Sequence, residues 1–216
     1  MPEKFNPARP LRQHEQKLIF RSRSIHFGSL SSGMLIRLFA FLCGCVSVFA
    51  AGEKSSLAID LGHSRVEILV KATMDSFTGR LEKFTPSVSL DDLGRVVEAQ
   101  VHFEFADIKT GKEKRDRAMN EWQQTEKFPD GEFALISLSP GTTDQATVQG
   151  RLTFHGVTRS LEFPVSVVSD HSLYSIDGQV EIDTRNFDLP IIRVMGVLKV
   201  DPLVTVRFHL QGAKGK

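Results

Sequence analysis

The sequence predicts an all-β fold, an antiparallel β-barrel of about eight strands with a short helix, preceded by a signal peptide. Three observations predict it. Apolar and polar residues alternate through most of the chain after residue 55, turn signals separate these runs, and 16 phenylalanines stand against one tryptophan and one tyrosine. Alternation is typical of a strand with one apolar and one wet face. Phenylalanine has no polar group, so its excess favours either ordinary core packing or an apolar cavity.

The N-terminal 50 residues are interpreted as a signal peptide with a basic leader, and residues 51–216 as one folded domain. Residues 1–37 carry seven Lys or Arg and two Glu, and an apolar run follows from Leu38 to Ala51. A basic region, a short apolar core and small residues around Val48 and Ala50 are typical of a secretory signal. The run is shorter than the roughly 20 residues of a spanning helix. We therefore expect a periplasmic or secreted protein, with Met34 as an alternative start.

Both cysteines of the chain lie in this apolar run, at positions 43 and 45. The segment Leu42–Cys45 also resembles a lipoprotein processing box, so acylation of Cys45 is the alternative to simple cleavage. The sequence from Ala51 onward contains no cysteine. The predicted domain therefore has neither a disulfide nor a thiol nucleophile.

The clearest strand is predicted at residues 97–105, where Val, Ala and Phe alternate with Glu, Gln and His. Similar runs predict strands at 66–70, 148–154, 161–167 and 204–210. Turn signals lie at 91–94, 139–141, 155–158 and 176–178. Pro164 lies within a strand run and predicts an edge or a bulge. The charged segment Lys112–Gln124 predicts a short helix between strands.

About eight short alternating strands fit either a barrel or a sandwich. Closure into a barrel removes exposed strand edges, which are an aggregation hazard in an exported protein. An eight-stranded barrel also leaves an interior that holds one small ligand. These arguments favour the closed barrel.

Several classes of function have no support in the sequence. The formal net charge is +1, which gives no field for nucleic acid. The five histidines after residue 51 lack the close spacing of metal ligands on a strand or helix, so we expect no metal site. Motifs for nucleophilic or phosphate chemistry are absent from the sequence, which predicts a protein that is not an enzyme. The pair Arg115–Asp116, and Arg185 with Asp183 or Asp188, are predicted to be structural pairs, with orientation of a polar head group as the alternative.

The candidate ligand-binding residues are the apolar strand faces and one tryptophan on the helix. They are Phe77, Phe84, Val101, Phe103, Phe105, Trp122, Phe133, Phe154, Phe163, Ile182, Phe187, Val206 and Phe208. For each of them simple core packing is the alternative. Trp122 is expected either to cap the mouth of the barrel or to anchor the helix to it.

Five segments, in this order, resemble the YceI-like family of periplasmic polyisoprenoid-binding proteins. They are Ile59–Asp60 with His63–Ser64 and Val66, Thr110–Gly111 with Arg115–Asp116, Phe128–Pro129 with Phe133 and Ile136–Ser137, Gly150–Thr158, and Thr184–Arg185 with Phe187–Asp188. The resemblance covers residues 56–212 and implies a lipocalin-like barrel.

The resemblance further implies binding of a long isoprenoid lipid, such as a quinone tail or a polyprenyl chain, with no other cofactor. A dry tunnel suits such a ligand, because each buried methylene contributes roughly 0.8 kcal/mol. Two alternatives remain: a filled barrel that is a structural or stress-related interaction module, and an enzyme that acts on an isoprenoid lipid. The protein is expected to be a monomer or a homodimer.

Overall fold

The computed structural model describes residues 54–73, 75–194 and 198–215. The predicted signal peptide and basic leader, and the alternative acylation site at Cys45, lie outside these residues. None of the helices in the described part of the chain has the length and apolar character needed to cross a membrane.

Most of the described residues form strands, and one α-helix lies between the sixth and seventh strands. The strands are β1 (Ser55–Ile59), β2 (Arg65–Ala72), β3 (Phe77–Leu81), β4 (Thr85–Leu90), β5 (Val96–Glu104), β6 (Ile108–Lys109), β7 (Asp130–Pro140), β8 (Gln145–Phe154), β9 (Val157–Asp170), β10 (Leu173–Asp183), β11 (Arg193–Val194) and β12 (Leu198–Lys214). The helix α1 is Glu113–Gln123, and 3-10 turns occur at Phe105–Asp107 and Thr184–Phe187.

Eight strands close into an antiparallel barrel, as the sequence predicts. Strands β1, β4, β5, β7, β8, β9, β10 and β12 are neighbours in this order. The ring closes because β12 pairs with β1 as well as with β10, with Leu57 opposite Lys214. Each neighbouring pair is antiparallel.

Three of the eight barrel strands are interrupted along their length. Strand β12 pairs with β1 near its C-terminal end and with β2 over its earlier residues. Strand β3 in turn pairs with β2, and β6 pairs with β3. Strands β1 and β2, β3 and β4, and β5 and β6 therefore each form one broken barrel strand. The first break is a turn in which the carboxylate of Asp60 accepts a hydrogen bond of 2.9 Å from the backbone N–H of Gly62.

One end of the barrel, where β1 begins and β12 ends, is filled by side chains; we call it the plugged end. Its core contains Leu57, Val88, Leu90, Tyr174 and Leu210, all of them buried. The Tyr174 hydroxyl donates a hydrogen bond of 3.0 Å to the carbonyl of Gly94. Gly94 has φ +76°, and a Cβ there would lie 2.7 Å from the Tyr174 oxygen, so this turn requires glycine. The plugged end thus resembles an ordinary protein core.

The opposite end carries the helix that the charged segment 112–124 predicts; we call it the helix end. The carboxylate of Asp116 accepts hydrogen bonds from the backbone N–H and the hydroxyl of Thr110, at 3.0 and 2.6 Å. Trp122 Nε1 donates a hydrogen bond of 2.8 Å to the carbonyl of Pro190. The helix is therefore held to β6 at its start and to the segment after β10 near its end.

One predicted turn, at residues 176–178, is wrong. These residues lie inside β10, with Asp177 opposite His209 and Gly178 opposite Phe208. The Asp-Gly pair therefore serves packing across the sheet and does not reverse the chain. The turns predicted at 91–94 and 155–158 are confirmed as the connections between β4 and β5 and between β8 and β9.

Pro164 lies where β9 separates from β10. The predicted strand edge is therefore present over only part of β9. β9 pairs with β10 from Val165 to Asp170 only. Towards the helix end, the 3-10 turn after β10 approaches β9, and Arg159 Nε donates a hydrogen bond of 2.7 Å to the carbonyl of Asn186. Proline lacks the N–H that a paired position would use, which suits this point of separation.

Candidate ligand-binding cavity

The barrel encloses an apolar cavity with a volume of about 280 Å³. Its lining is aliphatic and aromatic along the strands, from Val88 and Leu210 near the plugged end to Val200 and Pro202 at the helix end. Thr184 and Asp201 also border the cavity, whose surface is almost entirely apolar. Ligand pockets are typically apolar and of about 300–1,000 Å³, so this cavity has the character of a small ligand site.

We infer that the cavity reaches the surface on the side bordered by Trp122 and residues 190–192. Ile191, Ile192 and Trp122 are half-buried and Pro190 is exposed, whereas Val88 and Leu210 near the other end are buried. At the helix end, Phe105 and Thr184 of the lining are buried, so the opening is confined to the part that the helix and the segment after β10 cover. We call the opening lined by Trp122 and residues 190–192 the mouth.

Eleven of the thirteen candidate residues line this cavity. They are Phe77, Val101, Phe103, Phe105, Trp122, Phe133, Phe154, Phe163, Ile182, Val206 and Phe208. Strand alternation brings nine of them together, because alternate residues point to the same face of a sheet. Phe105 lies in the 3-10 turn after β5, and Trp122 lies on α1. Their contact with a ligand stays a prediction.

The other two candidates, Phe84 and Phe187, lie outside the lining. Phe84 is 9% exposed and belongs to the core cluster, in the break between β3 and β4. Phe187 is 1% exposed and packs edge-on against Phe154, with ring centroids 5.6 Å apart. Both lie in irregular segments, where alternation no longer indicates which side chains face the lumen.

Sequence reasoning missed several lining residues. Met119 on α1 and the segment Pro190–Ile192 line the mouth. The helix is strongly charged and the segment is not a strand, so neither had a strand pattern to indicate its role. Val66, Ile68 and Val70 of β2 also line the cavity; their alternation was recognisable, and these residues were overlooked as ligand candidates.

Aromatic rings form a continuous part of the cavity wall. The ring centroids of Phe133 and Phe163 are 5.9 Å apart, and those of Phe163 and Phe208 are 6.1 Å apart. Tilted and edge-on contacts at this spacing are favourable for aromatic pairs. The rings therefore support one another in the wall.

Arg115 lies at the start of the helix, beside a cavity residue. Its guanidinium carbon is 4.1 Å from the centroid of the Phe77 ring, a cation–π contact. Its Nη2 lies 3.8 Å from a carboxylate oxygen of Asp75. The predicted pair Arg115–Asp116 is therefore not a pair, since Asp116 binds Thr110 instead.

Arg185 pairs with Asp183, the first of its two predicted partners. The hydrogen bond from the Arg185 side chain lowers the pKa of Asp183 below its usual value, against the opposing effect of burial. The same pair raises the pKa of Arg185. Asp183 also accepts a hydrogen bond of 3.0 Å from the backbone N–H of Arg185, so the pair caps the 3-10 turn, in keeping with a structural role.

The histidines are dispersed over the described residues. His63 bonds Asp60 in an exposed turn at 2.7 Å, and His209 bonds Asp177 on the outside of the barrel at 2.7 Å. His155 is buried in the β8–β9 turn, where its Nδ1 donates a hydrogen bond of 2.9 Å to the carbonyl of Phe187. In the described residues no group of three or more His, Cys, Asp or Glu is placed to hold a metal ion.

Comparison with solved structures shows the same fold at low sequence identity. A structure of Burkholderia cenocepacia BcnA has a TM-score of 0.64 and 22% identity, covering 71% of this chain and 98% of that chain. A polyisoprenoid binding domain from Saccharophagus degradans, implicated in plant cell wall breakdown, has a TM-score of 0.59 and 16% identity, covering 76% and 100%. The Campylobacter jejuni YCEI protein has a TM-score of 0.58 and 13% identity, covering 67% and 88%.

No curated protein matches this sequence. The model of the YceI-like domain matches residues 57–212, which span β1 to nearly the end of β12. This range covers more than half of the chain and agrees with the closed barrel. The chain therefore belongs to the YceI-like domain family.

Proposed function

We propose that this protein binds one long isoprenoid lipid, a quinone tail or a polyprenyl chain, in the lumen of its barrel, and sequesters or carries it in the periplasm. The observation that carries the proposal is the apolar cavity, which runs from the plugged end to a mouth at the helix end. Membership of the YceI-like family supports it. So does the fold shared with a domain described as polyisoprenoid-binding.

The lining favours a ligand that enters tail first. The deep part of the cavity offers Val, Leu and Phe side chains, and each buried methylene contributes roughly 0.8 kcal/mol. The Thr184 hydroxyl and the Asp201 carboxylate lie towards the helix end of the strands. A polar head group therefore stays in water at the mouth, while the apolar tail fills the lumen.

The same lining supports a binding protein in preference to an enzyme. The two polar side chains of the lining already have structural contacts. The Thr184 hydroxyl donates to the carbonyl of Pro202 at 3.2 Å, and Asp201 accepts from the backbone N–H of Leu203 at 3.0 Å. An isoprenoid held by such a surface is shielded from water and can be released unchanged.

The test is mass spectrometry of the protein expressed from the full chain and purified without detergent. Native and denaturing spectra are recorded side by side, and the purified protein is also titrated with ubiquinone-2 and geranylgeraniol. We expect a bound apolar species that denaturation releases, or one-to-one uptake of a titrated lipid. The native mass also distinguishes a monomer from a homodimer, and the denatured mass locates the N-terminus.

Two outcomes would overturn the proposal. A ligand-free mass together with no uptake of either lipid would favour the filled barrel, whose function then lies on its outer surface. Chemical conversion of an added lipid during incubation would favour an enzyme. Recovery in the cytoplasmic fraction with an uncleaved N-terminus would contradict the periplasmic part of the proposal alone.

A further inference from the structure

Three glycines on the inner face of the barrel each lie beneath a phenylalanine ring of a neighbouring strand. Gly131 is the register partner of Phe103, and Gly178 is the register partner of Phe208. A Cβ on Gly131 would lie 2.2 Å from Cζ of Phe103, and one on Gly178 would lie 2.3 Å from Cζ of Phe208. Directly paired residues share a face of the sheet. Each ring therefore occupies space that a side chain at the glycine would fill.

Gly150 lies beneath the ring of Phe133, which is diagonal to it on the neighbouring strand. A Cβ there would lie 2.4 Å from Cε2 and Cζ of Phe133, although the register partner of Gly150 is Leu135. The rings of Phe133 and Phe208 both border the wall formed with Phe163. The three glycines thus allow rings on several strands to lie against the wall, where they leave the lumen open.

The lumen is narrow enough for this effect to matter. Its lining on β12 extends from Val200 to Leu210, about 33 Å of strand, or about 25 Å along the barrel axis at a tilt of about 40°. The volume of 280 Å³ divided by about 25 Å gives a mean cross-section of about 11 Å². A circle of this area is about 3.8 Å across, which is close to the 3.5–4.0 Å that a carbon of a hydrocarbon chain keeps from its neighbours.

We propose that these three glycines are specificity-determining residues that set the width of the lumen and admit a chain with methyl branches. The inference rests on the proposed lipid binding. An isoprenoid carries a methyl branch on every fourth carbon of its main chain, so it is thicker than an unbranched alkyl chain of equal length. A lumen lined by rings that lie against the wall accepts these branches, and a slightly narrower lumen accepts only the unbranched chain.

The geometry predicts the size of the perturbation. In Gly131→Ala, the Phe103 ring must move by about 1.3 Å to bring its closest carbon from 2.2 Å to about 3.5 Å. Gly131 offers the cleanest test, because the three atoms nearest to its added Cβ all belong to that ring. At Gly150 the backbone oxygen of Ala134 also lies 3.1 Å away, and at Gly178 a methyl of Val165 lies 3.0 Å away.

The experiment compares geranylgeraniol with 1-hexadecanol, which have the same 16-carbon main chain and differ in branching and unsaturation. Binding is followed by the fluorescence of Trp122, the single tryptophan of the sequence and part of the lining. For Gly131→Ala and Gly178→Ala we expect the Kd of geranylgeraniol to rise about 15-fold. This corresponds to about 1.6 kcal/mol, the burial of two methylene groups. The Kd of 1-hexadecanol should rise about 3-fold at most.

Two further variants distinguish an effect of the width of the lumen from a general loss of packing. Gly62→Ala lies in the exposed turn after β1 and should leave both Kd values unchanged. Phe103→Leu removes the ring, so adding Gly131→Ala on that background should change the ratio of the two Kd values by less than about 3-fold. This second comparison remains informative if Gly131→Ala alone folds poorly.

The outcomes distinguish this inference from the proposed function. Wild-type protein that binds neither alcohol nor ubiquinone-2 would overturn both. Wild-type protein that binds geranylgeraniol, with glycine variants that keep the wild-type ratio of Kd values, would overturn the inference and leave lipid binding intact. Equal weakening of both alcohols, with a lower melting temperature, would also overturn it, because a general loss of packing does not select against branches.

Discussion

The hydrogen bond between Trp122 and Pro190 predicts that the mouth controls how fast a lipid leaves the barrel. Trp122→Phe removes the indole N–H, which donates to the Pro190 carbonyl at 2.8 Å, and keeps an apolar ring in the lining. The bond joins α1 to the segment after β10, the two parts of the fold that border the mouth. Its loss should raise the fraction of time during which these parts separate.

The magnitude follows from the exposure of the acceptor. A neutral hydrogen bond contributes a net stabilisation of about 0.5–1.5 kcal/mol. Pro190 is exposed, so water can replace the lost donor, and the lower half of that range applies. We expect the dissociation rate of a bound lipid to rise about 2- to 5-fold. The Kd should change less than the rate, because association through the same opening is also faster.

The assay is transfer of ubiquinone-2 from the loaded protein to vesicles that contain a pyrene-labelled lipid, whose fluorescence the arriving quinone quenches. Glu121→Gln, on the exposed face of the same helix, is the matched control and should leave the rate unchanged. A dissociation rate for Trp122→Phe equal to that of the wild type, with the quinone shown to bind, would refute the reasoning.

Two further predictions concern stability. Leu90 is fully buried at the plugged end, so Leu90→Ala should lower the free energy of unfolding by about 2–5 kcal/mol; Leu93→Ala, at a site 77% exposed, should change it by about 0.5 kcal/mol or less in the same urea titration. Burial raises the pKa of Asp177, but hydrogen bonds from His209 and Ser175 outweigh it, so the net pKa is lowered. The resulting stabilisation is present above the ordinary pKa of 3.8 and is lost as the pH falls through the lower folded value. Asp177→Asn should therefore lose less stability than the wild type between pH 5 and about 2, and equal losses in acid denaturation curves would contradict this account.

The regular strands were predictable because their sequence repeats the geometry of the sheet. In β5, the half-buried Val101 and Phe103 face the lumen, and the exposed His102 and Glu104 face outward. Alternation carries no information about where a strand is interrupted, so the broken pairs β1–β2 and β3–β4 were not predicted. Phe84, in the second break, packs in the core and not in the lining, a difference that alternation cannot indicate.

The Asp-Gly dipeptide at 177–178 illustrates a second limit. Local turn propensity favours a reversal there, but Gly178 provides the space that the Phe208 ring occupies on the adjacent strand. That requirement arises only after the two strands have paired, because Gly178 and Phe208 are 30 residues apart in the sequence. The same holds for the mouth, where Trp122 meets Pro190 across 68 residues. Pairing and packing at long range therefore override the local signals at the positions that shape the cavity.

An apolar lumen without a ligand lowers the stability of the folded protein. A bound lipid is therefore predicted to raise the melting temperature. Cavities left by truncated core side chains cost about 24 cal/mol per Å³. For 280 Å³ this amounts to about 7 kcal/mol, an upper limit because water can enter at the mouth. A lipid at 100 times its Kd stabilises the folded state by about 2.7 kcal/mol, which lies within that limit. For a protein of this size the melting temperature should rise by about 5–10 °C.

The measurement compares thermal unfolding of the delipidated protein with and without geranylgeraniol, and with glycerol as a polar control. A filled barrel gains nothing from either compound, whereas a barrel that holds lipid is stabilised by geranylgeraniol alone. An unchanged melting temperature at saturating geranylgeraniol would mean that the lumen is closed to this lipid. Because the shift depends on occupancy and requires no knowledge of a donor or acceptor, it tests the physical premise of a lipid carrier independently of its place in the cell.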